Sequence, residues 1–188
     1  TILGILRGTE LVSSLPAGEE GILIVNQTPF YAEMGGQVGD RGWVHGAGEA
    51  EVVDTQQLFT GLIGHHVRVD TGVLHQGDEV DLSVDARRRQ LIANNHTATH
   101  LLHWALCHIL GEQVRQAGSV VDAERLRFDF SHHKAMTGEE LQGVEDLVNE
   151  QIRLNRHVHV YELPYEQAQK RTDIKQFFGE KYGSHVRV

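Results

Sequence analysis

The alternation of apolar and polar positions changes its period near residue 85. Ahead of that point, short apolar runs are separated by glycines. Gly21-Ile22-Leu23-Ile24-Val25 is too short for an ordinary helix and reads as a buried strand. Trp43-Val44, Glu51-Val52-Val53 and His66-Val67-Arg68-Val69 follow, divided by Gly46, Gly48, Gly61 and Gly64. From Glu79 to Asp85 the alternation is strict. Val80, Leu82 and Val84 face one way, and Glu79, Asp81, Ser83 and Asp85 the other, after a Gln76-Gly77-Asp78 turn. Short strands with glycine turns predict a small antiparallel barrel or sandwich.

From Asp85 to Gly111 the period is helical. Leu91, Ala98, Leu102, Ala105 and Ile109 form an apolar stripe, Asp85 can cap the start, and Gly111 can end the helix. Gln116 to Val121 and Leu126 to Phe130 then predict a hairpin turning at Asp122-Ala123-Glu124. Leu126, Phe128 and Phe130 should be buried, and Arg127 and Asp129 turned outward. Thr137-Gly138-Glu139-Glu140 is a capping box opening a second helix with Leu141, Val144, Val148 and Ile152 inward. A strand over His157 to Leu163, a short helix from Pro164 to about Lys170, and a strand starting at His185 complete an α+β order.

Composition narrows the class. With 188 residues, 40% of them hydrophobic, the chain can build one large or two small domains. Its single cysteine, Cys107, excludes an internal disulfide framework and fits a reducing compartment. No apolar run approaches the ~20 residues of a membrane span, and no signal-peptide pattern opens the chain. The first residue is Thr1, so the chain reads as a piece of a longer protein. A net charge of -9 is unlike a free-standing nucleic-acid binder, so RNA contact rests on local patches or on other domains.

The chemistry centres on His96-Thr97-Ala98-Thr99-His100. Histidines four apart on a helix share a face and can close on one divalent metal ion, and two helix-surface histidines would look the same. The Glu of the HExxH motif is absent. Cys107 lies about 10 Å along the axis from His100, too far to join a tetrahedral zinc, and reads as a small buried residue. His103 cannot easily share one ion with both histidines. In Thr28 to Asp40, Gly35-Gly36 permits a sharp turn or a close approach to a ligand, and equally an ordinary loop. Arg87-Arg88-Arg89 is either a phosphate contact or a solvated charge run. No P-loop or dinucleotide fingerprint occurs.

Five motifs in order resemble the editing domain of alanyl-tRNA synthetase. They are Thr28-Pro29-Phe30-Tyr31-Ala32-Glu33 with Gly35-Gly36-Gln37; Asn95-His96-Thr97-Ala98-Thr99-His100-Leu101-Leu102; Gln116-Ala117-Gly118-Ser119; Leu126-Arg127-Phe128-Asp129-Phe130; and Phe178-Gly179-Glu180-Lys181-Tyr182-Gly183. The resemblance covers nearly the whole chain. Related modules occur as free-standing trans-editing proteins, and the second half is shared with threonyl-tRNA synthetase.

The resemblance implies a glycine-rich β-barrel over residues 1–87. An α+β "second additional domain" of the threonyl/alanyl-tRNA synthetase type follows over 88–188, cut short at its C-terminus. It implies hydrolysis of tRNA(Ala) mischarged with serine or glycine at a zinc site. His96 and His100 match the first half of the ligand set, and a Cys-x-x-x-His is expected beyond Val188, so the chain as it stands should be weak or inactive. Gln116 and Thr99 match residues of the family's editing pocket and are the expected catalytic residues, and Gly35, Gly36 and Gln37 are the expected substrate-binding ones. Met34 stands where the family more often has serine, and Thr172-Asp173-Ile174-Lys175 departs from a small-residue stretch. ATP and Mg2+ belong only to an aminoacylation domain absent from these residues. The expected partners are mischarged tRNA(Ala) and the rest of a synthetase chain, with no DNA and no membrane, in the cytoplasm. A stand-alone trans-editing deacylase and a non-catalytic tRNA-binding module are the alternatives; the other four motifs argue against an unrelated metal hydrolase.

Overall fold

The computed structural model describes residues 1–174 and 183–188, so Phe178 to Tyr182 of the last motif lie outside the described residues. The chain divides into two compact units. One comprises Thr1–His103 and Ala117–Phe130, the other Trp104–Gln116 and Ser131–Val188. The architecture is mixed α+β with a predominantly antiparallel sheet.

The first unit is built on an eight-stranded sheet. Its strands are β1 (Ile2–Arg7), β2 (Glu10–Val12), β3 (Ser14–Pro16), β4 (Glu20–Val25), β5 (Gly42–His45), β6 (Gly48–Phe59), β7 (Leu62–His75) and β8 (Asp81–Val84). The order is β2-β1-β4-β7-β6-β5-β8, with β3 also on β7, and the path is open among the described residues. Ile2 N–H donates to the Asp78 carbonyl at 2.9 Å, and Gly77 N–H to the Ile2 carbonyl at 2.9 Å, tying β1 to the turn before β8. Ile5, Leu15, Leu23, Val44, Val52 and Leu74 are wholly buried in the core. Val80, Leu82 and Val84 pack against it, as their alternation predicts.

Gly64 does not break a strand. β7 runs straight through it, and a Cβ there would stand 2.7 Å from Ile22 Cγ2 and 2.8 Å from Leu58. Its role is to admit neighbouring side chains, while the hairpin turns at Gly61, whose φ is +81°.

Helix α1 (Ala86–Leu110) has the expected ends. Asp85 Oδ1 accepts from Arg88 N–H at 2.9 Å, and Gly111, at φ +108°, donates to the Cys107 carbonyl at 3.0 Å. The buried face is rotated from the predicted stripe. Of that stripe Ala105 is buried, Ala98, Leu102 and Ile109 are half-buried and Leu91 is 43% exposed, while Ile92, Thr99, His103 and Leu106 are buried beside it. An apolar count misses this face because two of its positions are polar. Cys107 is buried and free, as its size suggests.

Strands β9 (Arg115–Val121) and β10 (Leu126–Ser131) form the hairpin, closed by Asp122 N–H on the Arg125 carbonyl at 3.0 Å. Leu126, Phe128 and Phe130 are half-buried and not enclosed; Arg127 is exposed as expected, while Asp129 is half-buried. A short hairpin has one covered face at most, so the alternation gives direction without full burial.

In the second unit, α2 (Gly138–Leu154) carries the capping box in full. Thr137 Oγ1 accepts from Glu140 N–H at 3.2 Å, and Glu140 Oε2 accepts from Thr137 N–H at 2.8 Å. The Thr137 amide and Lys134 hold the Glu140 carboxyl down at about 2. Val144 is buried, but Leu141 and Ile152 are exposed at 55% and 54%, so only part of the expected stripe is covered. Gly143 lets Ile109 approach, since a Cβ there would stand 3.2 Å from Ile109 Cδ1. The strand expected over 157–163 begins only at Glu162, because β11 (Glu162–Pro164) pairs with just three residues of β12 (His185–Arg187). Helix α3 stops early, spanning Tyr165–Ala168.

Candidate functional site

Met34-Gly35-Gly36-Gln37 is a closed turn. Met34 N–H donates to the Gln37 carbonyl at 3.2 Å, and Gln37 N–H to the Met34 carbonyl at 3.0 Å. Both central residues have positive φ, +61° at Gly35 and +82° at Gly36, the signature of a type I′ turn. Two further backbone bonds fix the turn to the end of β9: Val121 N–H to the Gly36 carbonyl at 2.8 Å and Val38 N–H to the Val121 carbonyl at 3.1 Å. A Cβ on Gly36 would lie 2.5 Å from the Ser119 carbonyl oxygen, whereas nothing lies within 4 Å of one on Gly35. The close approach that Gly36 permits is to Ser119.

The turn delivers the Gln37 side chain to helix α1. Gln37 Oε1 lies 2.7 Å from His96 Nδ1. One helical turn on, the His100 ring centre is 5.1 Å from that of His96, with the planes tilted by 33°. Two imidazoles on one tetrahedral zinc, with Zn–N near ~2.05 Å, have ring centres about 5 Å apart, a spacing this pair matches. Protein around the His100 ring lowers its pKa below the ordinary histidine value by desolvation, although the residue keeps an exposed surface. That favours the neutral form a metal ligand needs. Among the described residues, no group of three or more His, Cys, Asp or Glu side chains is placed to hold a metal.

Thr99 is buried, and its hydroxyl donates back to the Asn95 carbonyl at 2.8 Å, which leaves its oxygen able to accept. Asn95 in turn donates to the Asp122 and Ala123 carbonyls at 2.7 and 3.3 Å, pinning the helix to the hairpin turn. Gln116 is half-buried at the end of β9 that belongs to the second unit. The His103 ring packs 5.2 Å from the Phe128 ring and belongs to the buried face.

Two anchors escape a reading of the sequence. Asp40 is 2% exposed and accepts from Tyr31 N–H at 2.6 Å and from the Arg89 guanidinium. Arg89 also donates to the Pro29 carbonyl at 2.7 Å, and Arg88 to the Gly39 carbonyl at 2.8 Å. Two of the three arginines expected as phosphate contacts or solvated charges therefore clamp the 28–40 segment; Arg87 is exposed. The second anchor is His65, wholly buried. Its Nδ1 faces the Leu23 carbonyl at 3.1 Å and its Nε2 the Thr28 hydroxyl at 2.7 Å. Thr28 Oγ1 also accepts from Phe30 N–H at 3.0 Å. A neutral His65 with its proton on Nδ1 satisfies every partner, and burial pushes its pKa down. The only sequence signal is a histidine at a buried register of a strand.

On the outer sheet face, Ser83, His45 and Glu49 line up in the order of a catalytic triad, at 3.1 and 2.5 Å. His45 and Glu49 are 47% and 50% exposed, which makes this a solvated surface clip and not a shielded nucleophile. Two open hollows of about 420 Å³ each lie beside Thr1, Asn26 and Val80, and neither is lined by Gln37, His96, Thr99 or His100.

Residues 1–88 match the family model described as tRNA synthetases class II (A). The whole chain is 49% identical to part of an alanine–tRNA ligase of Chlamydia muridarum, 48% to one of Dehalococcoides mccartyi and 47% to one of Magnetococcus marinus. The chain spans 22% of the length of each of these relatives. It is thus homologous to a region of alanine–tRNA ligases. No described helix is long and apolar enough to cross a membrane.

Proposed function

We propose that this chain is the editing region of an alanyl-tRNA synthetase, hydrolysing the ester of tRNA(Ala) mischarged with serine or glycine. The observation that carries this reading is the His96–His100 pair at a zinc-compatible spacing, buttressed by the glycine-rich turn through Gln37. Residues 1–87 act as a small antiparallel barrel, supported by the bonds that draw β1 to the turn before β8. Residues 88–188 act as the second additional domain. Its substrates are mischarged tRNAs, its covalent partner is the rest of the synthetase, and its setting is the cytoplasm, with ATP and Mg2+ confined to the aminoacylation domain.

His96 and His100 would hold the zinc, with further ligands from the sequence following Val188. When bound, the ion supplies an electrophilic centre that can orient the substrate or lower the pKa of a water. The remaining work falls to the chain itself. Gly35, Gly36 and Gln37 shape the wall beside the histidines. Thr99 Oγ1, already donating to the Asn95 carbonyl, can accept from a serine hydroxyl. Gln116 is proposed for the pocket from the family resemblance alone. A pocket built to bond a hydroxyl leaves these groups unpaired when alanine enters, which is how a second site separates serine from alanine where a synthetic pocket discriminates weakly; glycine brings no hydroxyl, so its release does not draw on this contact.

The test is a comparison of seryl-, glycyl- and alanyl-tRNA(Ala) as substrates for the chain continued past Val188 with its natural sequence. Release of serine and glycine with alanyl-tRNA(Ala) largely spared supports the reading. Hydrolysis of none of the three refutes it.

A further inference from the structure

We propose that Gln37 is a positioning residue for His96, acting on the ligand through the proton of Nδ1. The inference rests on the reading of His96 and His100 as a metal-binding pair. A side-chain carbonyl oxygen only accepts, and Gln37 Oε1 stands 2.7 Å from His96 Nδ1. With the amide oxygen turned to the ring Nδ1 donates, and the neutral ring takes the tautomer with its lone pair on Nε2. A histidine that ligates through one nitrogen and donates from the other to a carbonyl is the arrangement that sets ring orientation and ligand basicity.

Much of the preceding motif serves to hold that one amide still. Gln37 leaves a turn closed by Met34 at 3.0 and 3.2 Å, and its neighbours Gly36 and Val38 are both bonded to Val121. The turn needs positive φ at Gly35 and Gly36, and the Ser119 carbonyl excludes any Cβ at Gly36. The sequence Gly35-Gly36-Gln37 is on this view a rigid bracket. Its product is a defined tautomer on the first histidine of the helix, and the Gln37 side-chain oxygen influences the reaction through that histidine.

The test has two readouts. In the metal-free 188-residue chain, long-range 1H–15N correlation spectra report the His96 tautomer. The expected result is a proton on Nδ1 in the wild type and a shift towards Nε2–H in Gln37→Ala. A wild-type His96 carrying its proton on Nε2 overturns the proposal. In the chain continued past Val188, zinc affinity measured against a competing chelator should fall roughly 10- to 100-fold in Gln37→Ala and recover in Gln37→Glu, which restores an accepting oxygen. Failure of Gln37→Glu to recover means a structural role only and overturns the proposal. Unchanged affinity in Gln37→Ala, with binding lost in His96→Ala, also overturns it and leaves the metal pair standing. Unchanged affinity in His96→Ala itself overturns the metal reading, and this proposal with it.

Discussion

Asp40, buried to 2% exposure, is held by Arg89 from the first turn of α1 and by the Tyr31 amide from the motif that opens with Thr28. This ion pair joins the glycine-rich segment to the helix that carries the histidines. Arg89→Ala leaves a buried carboxylate without its cation. Because Arg89 is itself 43% exposed, the loss should fall at or below the lower end of the ~3–5 kcal/mol typical of broken buried pairs. Chemical denaturation of the variant checks this. An unchanged midpoint would mean that the segment is anchored elsewhere.

His65 gives stability a pH dependence of defined sign. Its folded pKa lies below the unfolded 6.5 because burial disfavours the charged ring. The unfolded chain therefore takes up the proton first. The contribution of His65 is complete above about pH 6.5 and is lost as pH falls towards the folded value. Thermal midpoints from about pH 8 to about pH 5 should fall more steeply for the wild type than for His65→Gln, which keeps hydrogen-bonding groups and cannot titrate in this range. Parallel curves would remove His65 from the acid response.

The two glycines of the turn should respond differently. Gly35→Ala meets no neighbour and bears only the left-handed strain of an L-residue, about 1–2 kcal/mol. Gly36→Ala adds a collision with the Ser119 carbonyl, 2.5 Å away, and should be the more damaging, in stability and in serine release alike. Equal effects would argue against the docking of this turn on β9.

Phe128 is half-buried, so Phe128→Ala should cost less than the ~3–5 kcal/mol of an enclosed aromatic, roughly 1.5–3 kcal/mol. A larger loss measured by denaturation would mean that the hairpin face is covered more fully than its accessibility indicates.

The elements with strong local signals are legible in the sequence alone. Asp85 and Gly111 bound α1, Thr137 and Glu140 cap α2, and Val80, Leu82 and Val84 face the core, because caps, turns and alternation act over a few residues. What escaped depends on long-range pairing. Gly64 looks like a punctuation mark until Ile22 and Leu58 are seen against it. The buried face of α1 includes Thr99 and His103, which no hydrophobicity count assigns to a core. Arg88 and Arg89 resemble a charge run until Gly39 and Asp40 arrive from about 49 residues away. The spacing of His96 and His100 puts them on one face of the helix and leaves open what they do there, whereas the Gln37 contact spans 59 residues and depends on the fold.

Release of labelled serine from seryl-tRNA(Ala) tests the editing site most directly. It should be measured for the chain continued past Val188 and for its His100→Ala variant, with the zinc content of each determined and at low salt, given the net charge of -9. The predicted result is that the wild type carries zinc and releases serine, while His100→Ala loses both, since a ligand is gone. Equal rates of serine release from the two proteins would contradict a metal-dependent editing site on this helix.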